Sequence, residues 1–261
     1  MQRREFIVHF SSAIAASTTW PLAAGAQTPP KIPRVGYIAA SGPNAAATTV
    51  GAFRQGLREL GYVEGQTIVV EVRWADGRLE QLPQLVADLV GLKVDVLVAP
   101  SSPGALAAKK ATGTIPIVMI AGDPVGLGLV ASLARPGGNV TGLSYFVEVI
   151  VAKRVQLLKE LVPELARVAV LKNPVHAVHA TFWRETEMAA RTLGLALQPL
   201  EVHGPEDFEA AFAAATRGNA QALIVFDDPL TLAHRPRIVA LAASSGFRPC
   251  MGFASLWTRV A

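Results

Sequence analysis

The chain has 261 residues, of which 51% are hydrophobic and 17% charged, and its formal net charge is +4. This composition is rich enough in apolar residues to bury a sizeable core, which excludes an intrinsically disordered protein. The length accommodates one large domain or two lobes of ordinary size. Lys and Arg are scattered beside acidic residues, whereas a nucleic-acid-binding protein would cluster them on one face. We therefore expect no nucleic-acid partner.

The first 26 residues are predicted to form a cleavable signal peptide, so we expect a periplasmic protein. A short basic head precedes residues 8–22, which are apolar or small and carry no formal charge, and residues 24–26 (Ala-Gly-Ala) offer a small-x-small cleavage site. The apolar run is too short to span a membrane. The pair Arg3-Arg4 resembles a twin-arginine export signal, with an ordinary secretory signal as the alternative.

Residues 27–33 hold three prolines and are predicted to be a linker. After them, short runs rich in Val and Ile alternate with helical patterns, as in a parallel sheet flanked by helices. Strands of this first block are predicted at 34–40, 67–73, 94–99, 115–120 and 140–145. Helices are predicted at 45–60, 79–90, 104–111 and 127–134.

The alternation then begins again. Helices of the second block are predicted at 149–161, 177–193, 205–216 and 230–244. Strands are predicted at 168–171, 195–202, 222–226 and 249–253. We therefore predict an α/β protein with two lobes, 34–143 and 144–261, and a cleft between them; one doubly wound sheet is the alternative. The single cysteine, Cys250, has no partner for an internal disulfide and is expected to be a small buried residue at a strand end.

Polar residues follow three strands of the first block, at the edge where open α/β sheets bind ligands. They are the segment that starts at Ser41, the pair Ser101-Ser102, and Asp123. Hydroxyl groups and free backbone N–H groups at helix starts suit a carboxylate, and an isolated acid suits an ammonium group. Together they predict a site for the two charged ends of an amino acid. The same residue types are also common in turns and helix caps.

The second block offers Asn173 and Asp227 at comparable strand ends, placed to close over a ligand from the opposite lobe or to cap helices. For Asp228, which directly precedes Pro229, the capping role is favoured. Tyr145 lies at the presumed crossover between the blocks, where its ring is expected to line the cleft.

Enzyme and cofactor sites find little support in the sequence. His176 and His179 form an HxxH pair, but HExxH and CxxC companions are missing from the sequence. It also lacks a G-x-S-x-G elbow and a P-loop, and the glycines from Gly122 to Gly128 do not have dinucleotide-binding spacing. We predict neither catalytic residues nor a metal or cofactor.

Several segments closely resemble the ABC-transporter substrate-binding family that includes tryptophan- and tyrosine-binding members. They are FRQGLRELGYVEGQ at 53–66, RWA at 73–75, IPIVM at 115–119, GDPVG at 122–126 and LARPGGNVTGLS at 133–144. The resemblance extends from about residue 33 to residue 252. It implies a two-lobed, type I-like periplasmic-binding-protein fold that closes about a hinge on a small ligand, without catalysis.

The resemblance also implies a monomer that serves an ABC permease and its ATPase in the inner membrane, with an amino acid, aromatic in some relatives, as ligand. The positions that match ligand-contacting residues of the family fall after the strands of the first block, with looser matches in the second. They are Ser41, Gly42, Ser101, Ser102 and Asp123, and more loosely Asn173 and Asp227.

The last residues depart from the family pattern. Relatives continue past the position of Gly252 with a Tyr-Gly-x-Asp segment, a helix that returns to the first lobe and a closing strand, which residues 254–261 do not resemble. We therefore expect an incomplete first lobe and reduced stability. Two other functions stay open: a ligand-sensing effector module, which would need a helix-turn-helix, and an α/β enzyme with an unrecognised site.

Overall fold

The computed structural model describes residues 31–145, 147–249 and 256–259. The described residues from Ile32 onward belong to one compact unit. The predicted signal peptide at 1–26, most of the linker and Cys250 lie outside the described residues. The structure therefore tests the two α/β blocks.

The first block folds into a five-stranded sheet in which all neighbours are parallel, in the order β2-β1-β3-β4-β5. Its strands are β1 (Arg34–Ala39), β2 (Val69–Trp74), β3 (Val96–Ala99), β4 (Ile117–Gly122) and β5 (Val140–Tyr145). Each corresponds to a predicted strand, because a strand of a parallel sheet covered by helices reads as a continuous apolar run.

Three helices flank this sheet: α1 (Pro43–Glu59), α2 (Leu82–Gly91), which follows a 3-10 turn at Leu79–Gln81, and α3 (Ser102–Ala111). Each has a proline in its first turn, where the missing N–H costs little. A core that includes Leu89, Leu97 and Ile117 is shared with α2 and α3, while Tyr37 and Val50 belong to a separate cluster on the α1 side. The sheet is thus covered from two sides at β1 and β3, whereas Val118 and Ile120 of β4 and Leu143 of β5 are exposed.

The predicted helix at 127–134 is wrong, because this segment consists of turns and bends. The N–H of Leu127 reaches the carbonyl of Asp123 at 3.0 Å, but the next bonds return to Pro124 and Val125 and do not continue a helical ladder. Gly128 adopts a positive φ of 67°, which ends a helical turn. The apolar pattern that suggested a helix has another cause: Leu129 and Val130 are buried in the core of the first sheet.

The second block forms another five-stranded sheet, in the order β7-β6-β8-β10-β9. Its strands are β6 (Arg167–Lys172), β7 (Ala196–Glu201), β8 (Ala222–Val225), β9 (Phe247–Pro249) and β10 (Leu256–Arg259). The first three are parallel, whereas β10 is antiparallel to both β8 and β9. The strand predicted at 249–253 shares only Pro249 with β9, and its remaining residues lie outside the described residues.

In the described part of the second block, five helices accompany this sheet: α4 (Val147–Leu161), α5 (His179–Thr192), α6 (Phe208–Arg217) after a 3-10 turn at Pro205–Asp207, α7 (Pro229–Ala233) and α8 (Arg235–Ser244). The single helix predicted at 230–244 is therefore two helices. They separate at His234 because Pro236 lies in the first turn of α8 and cannot donate the hydrogen bond that a continuous helix requires.

The two sheets place the carboxyl ends of β1, β3 and β8 around one cavity. The predicted α/β architecture, with a helix-flanked, largely parallel sheet in each block, is confirmed. Along the part of the chain that the structure covers, every helix is too short or too polar to cross a membrane.

Candidate functional site

A cavity of about 400 Å³ lies between the two sheets and is lined by residues of both. This volume falls in the range of small-ligand sites, which runs from about 300 to about 1,000 Å³. The first sheet contributes the segments that follow β1 and β3 and the end of β5. The second contributes the turn after β6, the segment after β8, and parts of α7 and α8.

On the first-sheet side, the cavity wall combines serine hydroxyls with two helix starts. Ser101 is the N-cap of α3, and its Oγ accepts a hydrogen bond from the N–H of Gly104 at 3.2 Å. The Oγ of the buried Ser102 accepts from the N–H of Gly122 at 3.2 Å. Because both oxygens act as acceptors, their hydroxyl hydrogens remain to donate, and that of Ser102 is shared with the neighbouring Tyr145 phenol. The first turn of α3 carries no acidic residue, so its positive end favours an anionic group. At the start of α1, by contrast, the carboxylate of Asp76 lies against Gly42.

Two phenol groups complete this side of the cavity. Tyr37 is buried in β1, and burial raises the pKa of its phenol above the usual value. Burial likewise raises the pKa of Tyr145 at the end of β5, and the nearby Ser102 hydroxyl partly offsets this shift. Both phenols are therefore neutral near pH 7 and can donate a hydrogen bond.

Two adjacent carboxylates follow β8 on the opposite wall. The Oδ1 of Asp228 accepts from the N–H groups of Leu230 at 2.6 Å and Thr231 at 3.0 Å, and so caps α7 as the sequence predicts. Burial is the main cause of a raised pKa for this carboxyl. Asp227 differs, since its side chain is 70% exposed and lies 3.2 Å from the guanidinium of Arg154.

Of the histidine pair, His176 lies in the turn between β6 and α5, and His179 begins α5. His179 is buried, and its Nδ1 accepts from the N–H of Asn173 at 3.0 Å while its Nε2 faces the carbonyl of Asp227 at 3.2 Å. His176 stacks on it with ring centroids 4.6 Å apart. Burial, with a smaller contribution from His179, lowers the pKa of His176 to about 3, so its ring is neutral. Among the described residues, no three potential metal ligands come together.

The cavity brings together five of the eight predicted site residues, which are Ser41, Ser101, Ser102, Tyr145 and Asp227. The other three, Gly42, Asp123 and Asn173, are not among its lining residues and serve the local turns. The Oδ1 of Asp123 accepts from the N–H of Gly126 at 2.9 Å, and the Oδ1 of Asn173 accepts from the N–H of Val175 at 3.1 Å. The structure therefore does not place Asp123 beside the serines in this cavity.

Several lining residues were missed by reasoning from the sequence. Tyr37 lies within a strand, where it reads as core, and Arg235 begins a helix far from any predicted strand end. His176 was considered only as a metal ligand, and Asp228 only as a cap. Asp227, predicted at a strand end of the second block, and the histidine pair after another strand were the sequence signals that pointed to this wall.

Comparison with known proteins gives consistent results. Residues 37–248 match the family described as ABC transporter substrate binding protein. The chain is 37% identical to a tyrosine-binding protein of Clostridioides difficile (strain R20291) over 122 residues, which cover 46% of this chain and 35% of that protein. The matched segment thus spans about a third of this relative.

Two solved structures share the fold. One is an ABC domain in complex with L-Trp from Streptococcus pneumoniae, with a TM-score of 0.74 and 24% identity over 83% of this chain and 72% of that one. The other is a conserved domain protein from Vibrio cholerae, with a TM-score of 0.75 and 28% identity over 84% and 73%. The predicted two-lobed fold of periplasmic binding proteins is confirmed. The chain belongs to the family of ABC transporter substrate-binding proteins, whose members bind solutes and are not enzymes.

Proposed function

We propose that this protein captures a zwitterionic amino acid in the cavity between its two sheets and delivers it to the membrane permease of an ABC import system. The observation that carries the proposal is the cavity of about 400 Å³, with hydroxyls and helix starts on one wall and carboxylates on the other. Such walls complement the two charged ends of an amino acid.

The ligand carboxylate is assigned to Ser41, Ser101 and Ser102, where α1 and α3 begin. A carboxylate gains there from hydroxyl donors and from the positive end of α3. Asp227 and Tyr145 are assigned to contact the ligand from the other edges of the cavity. Because the ligand would contact both sheets only when they approach one another, binding shifts the population toward a closed form.

An aromatic amino acid is the first ligand to test. The relative from Clostridioides difficile is named a tyrosine-binding protein, and the structure from Streptococcus pneumoniae holds L-Trp. In this chain, the rings of Tyr37 and Tyr145 line the cavity together with aliphatic side chains such as Val225 and Ile238. These provide apolar surface against which an aromatic ring can pack.

We further propose export to the periplasm through the signal peptide at 1–26, and function as a monomer. The test is native mass spectrometry of the protein purified from periplasm, followed by calorimetric titration with the twenty amino acids. A co-purified amino acid with micromolar or tighter affinity is the expected result. Steady turnover of a bound metabolite, or no affinity for any amino acid, would overturn the proposal.

A further inference from the structure

We propose that His176 and Asp228 form an amine subsite on the second-sheet wall, which binds the protonated amine of the ligand. The inference deepens the proposed function and rests on it. It transfers the ammonium-binding role from Asp123, which lies outside the cavity, to two residues that line it.

Asp228 is a buried carboxylate of which only half is satisfied. Its Oδ1 accepts two backbone N–H groups of α7, whereas no group in the described part of the chain meets hydrogen-bond geometry with its buried Oδ2. The Asn173 side chain lies near enough to lower the pKa of this carboxyl, although burial still raises it. The residue is only 6% exposed. A buried carboxylate oxygen without a partner is costly, and a cation beside it relieves that cost.

The neighbouring acid is less suited to this role. The carboxylate of Asp227 is largely exposed and already lies 3.2 Å from Arg154, so water and a guanidinium screen its charge. An amine at Asp228 would instead meet a carboxylate that pairs with no Lys or Arg among the described ion pairs, in a poorly solvated wall where electrostatic attraction is stronger. We therefore assign the amine to Asp228 and not to Asp227.

His176 supplies a second unpaired polar atom to the same wall. Its Nδ1 is buried and has no hydrogen-bond partner among the described residues. Because burial keeps the ring neutral, one of its nitrogens is a hydrogen-bond acceptor and the ring does not repel a cation. A carboxylate and a neutral imidazole together match an ammonium group, which carries donors only.

The subsite is held in place by His179. The His176 ring stacks on that of His179, and the Nε2 of His179 reaches the carbonyl of Asp227, the residue before Asp228. The turns after β6 and β8 are thus connected through one buried ring. The α7 cap holds Asp228 and the stacked ring holds His176, so ligand binding does not have to order either residue.

The experiment compares ligands that differ only in the amine. L-tyrosine and 3-(4-hydroxyphenyl)propionate, and L-tryptophan and indole-3-propionate, are titrated calorimetrically into the wild type and into Asp228→Asn. The Asn side chain retains an oxygen for the α7 cap and removes the charge. Wild type should prefer the amine-bearing partner by about tenfold or more, and Asp228→Asn should lose most of this preference while its affinity for the amine-free acids changes less than about twofold.

Two further variants sharpen the result. His176→Phe retains a ring that can stack on His179 and should lower affinity for the amine-bearing ligands several-fold. Asp207→Asn is the matched control, since Asp207 is an acid of the same block that accepts backbone N–H groups at 2.8 and 3.3 Å and is not a cavity-lining residue. It should leave the preference unchanged. Circular dichroism melts confirm that each variant is folded.

The outcomes separate the two proposals. If the wild type binds the amine-free acids as tightly as the amino acids, or if Asp228→Asn keeps the full preference, the amine subsite is overturned while the binding function stands. If wild type binds none of the twenty amino acids, the proposed function falls and the subsite falls with it.

Discussion

Nδ1 of His179 lies 3.0 Å from both the backbone nitrogen and the carbonyl oxygen of Asn173. Nε2 of the same ring lies 3.2 Å from the carbonyl oxygen of Asp227. Both ring nitrogens are thereby used to join the turns after β6 and β8, and burial lowers the pKa of the ring. This junction supports His176, which stacks on it.

Acidification should therefore destabilise the protein through His176. Its pKa falls from 6.5 to about 3 on folding, so the unfolded chain binds a proton that the folded chain excludes. The free energy of unfolding is fully retained above about pH 6.5 and declines as the pH falls toward the pKa of His176 in the folded protein. Linkage gives a loss of about 3 kcal/mol between about pH 7.5 and about pH 4.5, measurable as the free energy of unfolding in urea at each pH.

His176→Phe is the control for this acid sensitivity, because it removes the titrating group and retains a stacking ring. The free energy of unfolding of the variant should fall by about 2–3 kcal/mol less than that of wild type over the same pH interval. Identical pH profiles for the two proteins would show that His176 does not titrate in this way.

Asp228→Asn should raise the stability of the unliganded protein at neutral pH. Burial raises the pKa of Asp228 in the folded protein above 3.8. The protonated carboxyl therefore costs no stability at low pH, and the free energy of unfolding falls as the pH rises through the folded pKa. The Asn variant keeps the cap without that loss, so its advantage in melting temperature should grow above about pH 4. Asp228→Ala, which deletes the cap, should be destabilised relative to Asn by about 1 kcal/mol. An Asn variant less stable than wild type at pH 7 would contradict this reasoning.

Residues with a local signal were predictable from the sequence. The strands β1, β3 and β4 follow from apolar runs rich in Val and Ile, which are typical of parallel strands in the interior of a sheet. The capping role of Asp228 follows from its place before Pro229, and Ser101 and Ser102 follow from the strand end before α3. Each of these features depends on only a few neighbouring residues.

Features that depend on distant contacts were not predictable. Asp123 follows a strand end like the serines, but its carboxylate is used by the N–H of Gly126, and only the tertiary structure shows which strand ends border the cavity. Arg235 enters the cavity because the chain turns at His234. The antiparallel β10 pairs with β8, more than 30 residues earlier in the chain, and its short sequence does not specify that partner.

Gly142→Ala should strongly destabilise the first sheet. Gly142 lies in β5 with φ of 143°, and an added Cβ would overlap the backbone of Met119 on β4. We expect a loss of about 2–4 kcal/mol in the free energy of unfolding, because backbone cannot yield as a side chain can. Gly51→Ala is the matched control, since a Cβ there meets nothing within 4 Å inside α1 and should stabilise by about 0.5–1 kcal/mol. Equal changes in the free energy of unfolding for Gly142→Ala and Gly51→Ala would show that the close approach of Met119 does not require glycine at position 142.

Ser101→Asp tests whether the ligand carboxylate lies at the start of α3. Aspartate is as good an N-cap as serine and favours the positive end of the helix, so the N–H of Gly104 keeps an acceptor in place of Ser101 Oγ and the melting temperature should hardly change. The added negative charge would meet a ligand carboxylate in a partly desolvated wall, and we expect calorimetric affinity for an amino acid to fall by about tenfold or more. Ser101→Asn, which caps without charge, should retain most of the affinity. An aspartate variant that binds like wild type would place the carboxylate elsewhere in the cavity.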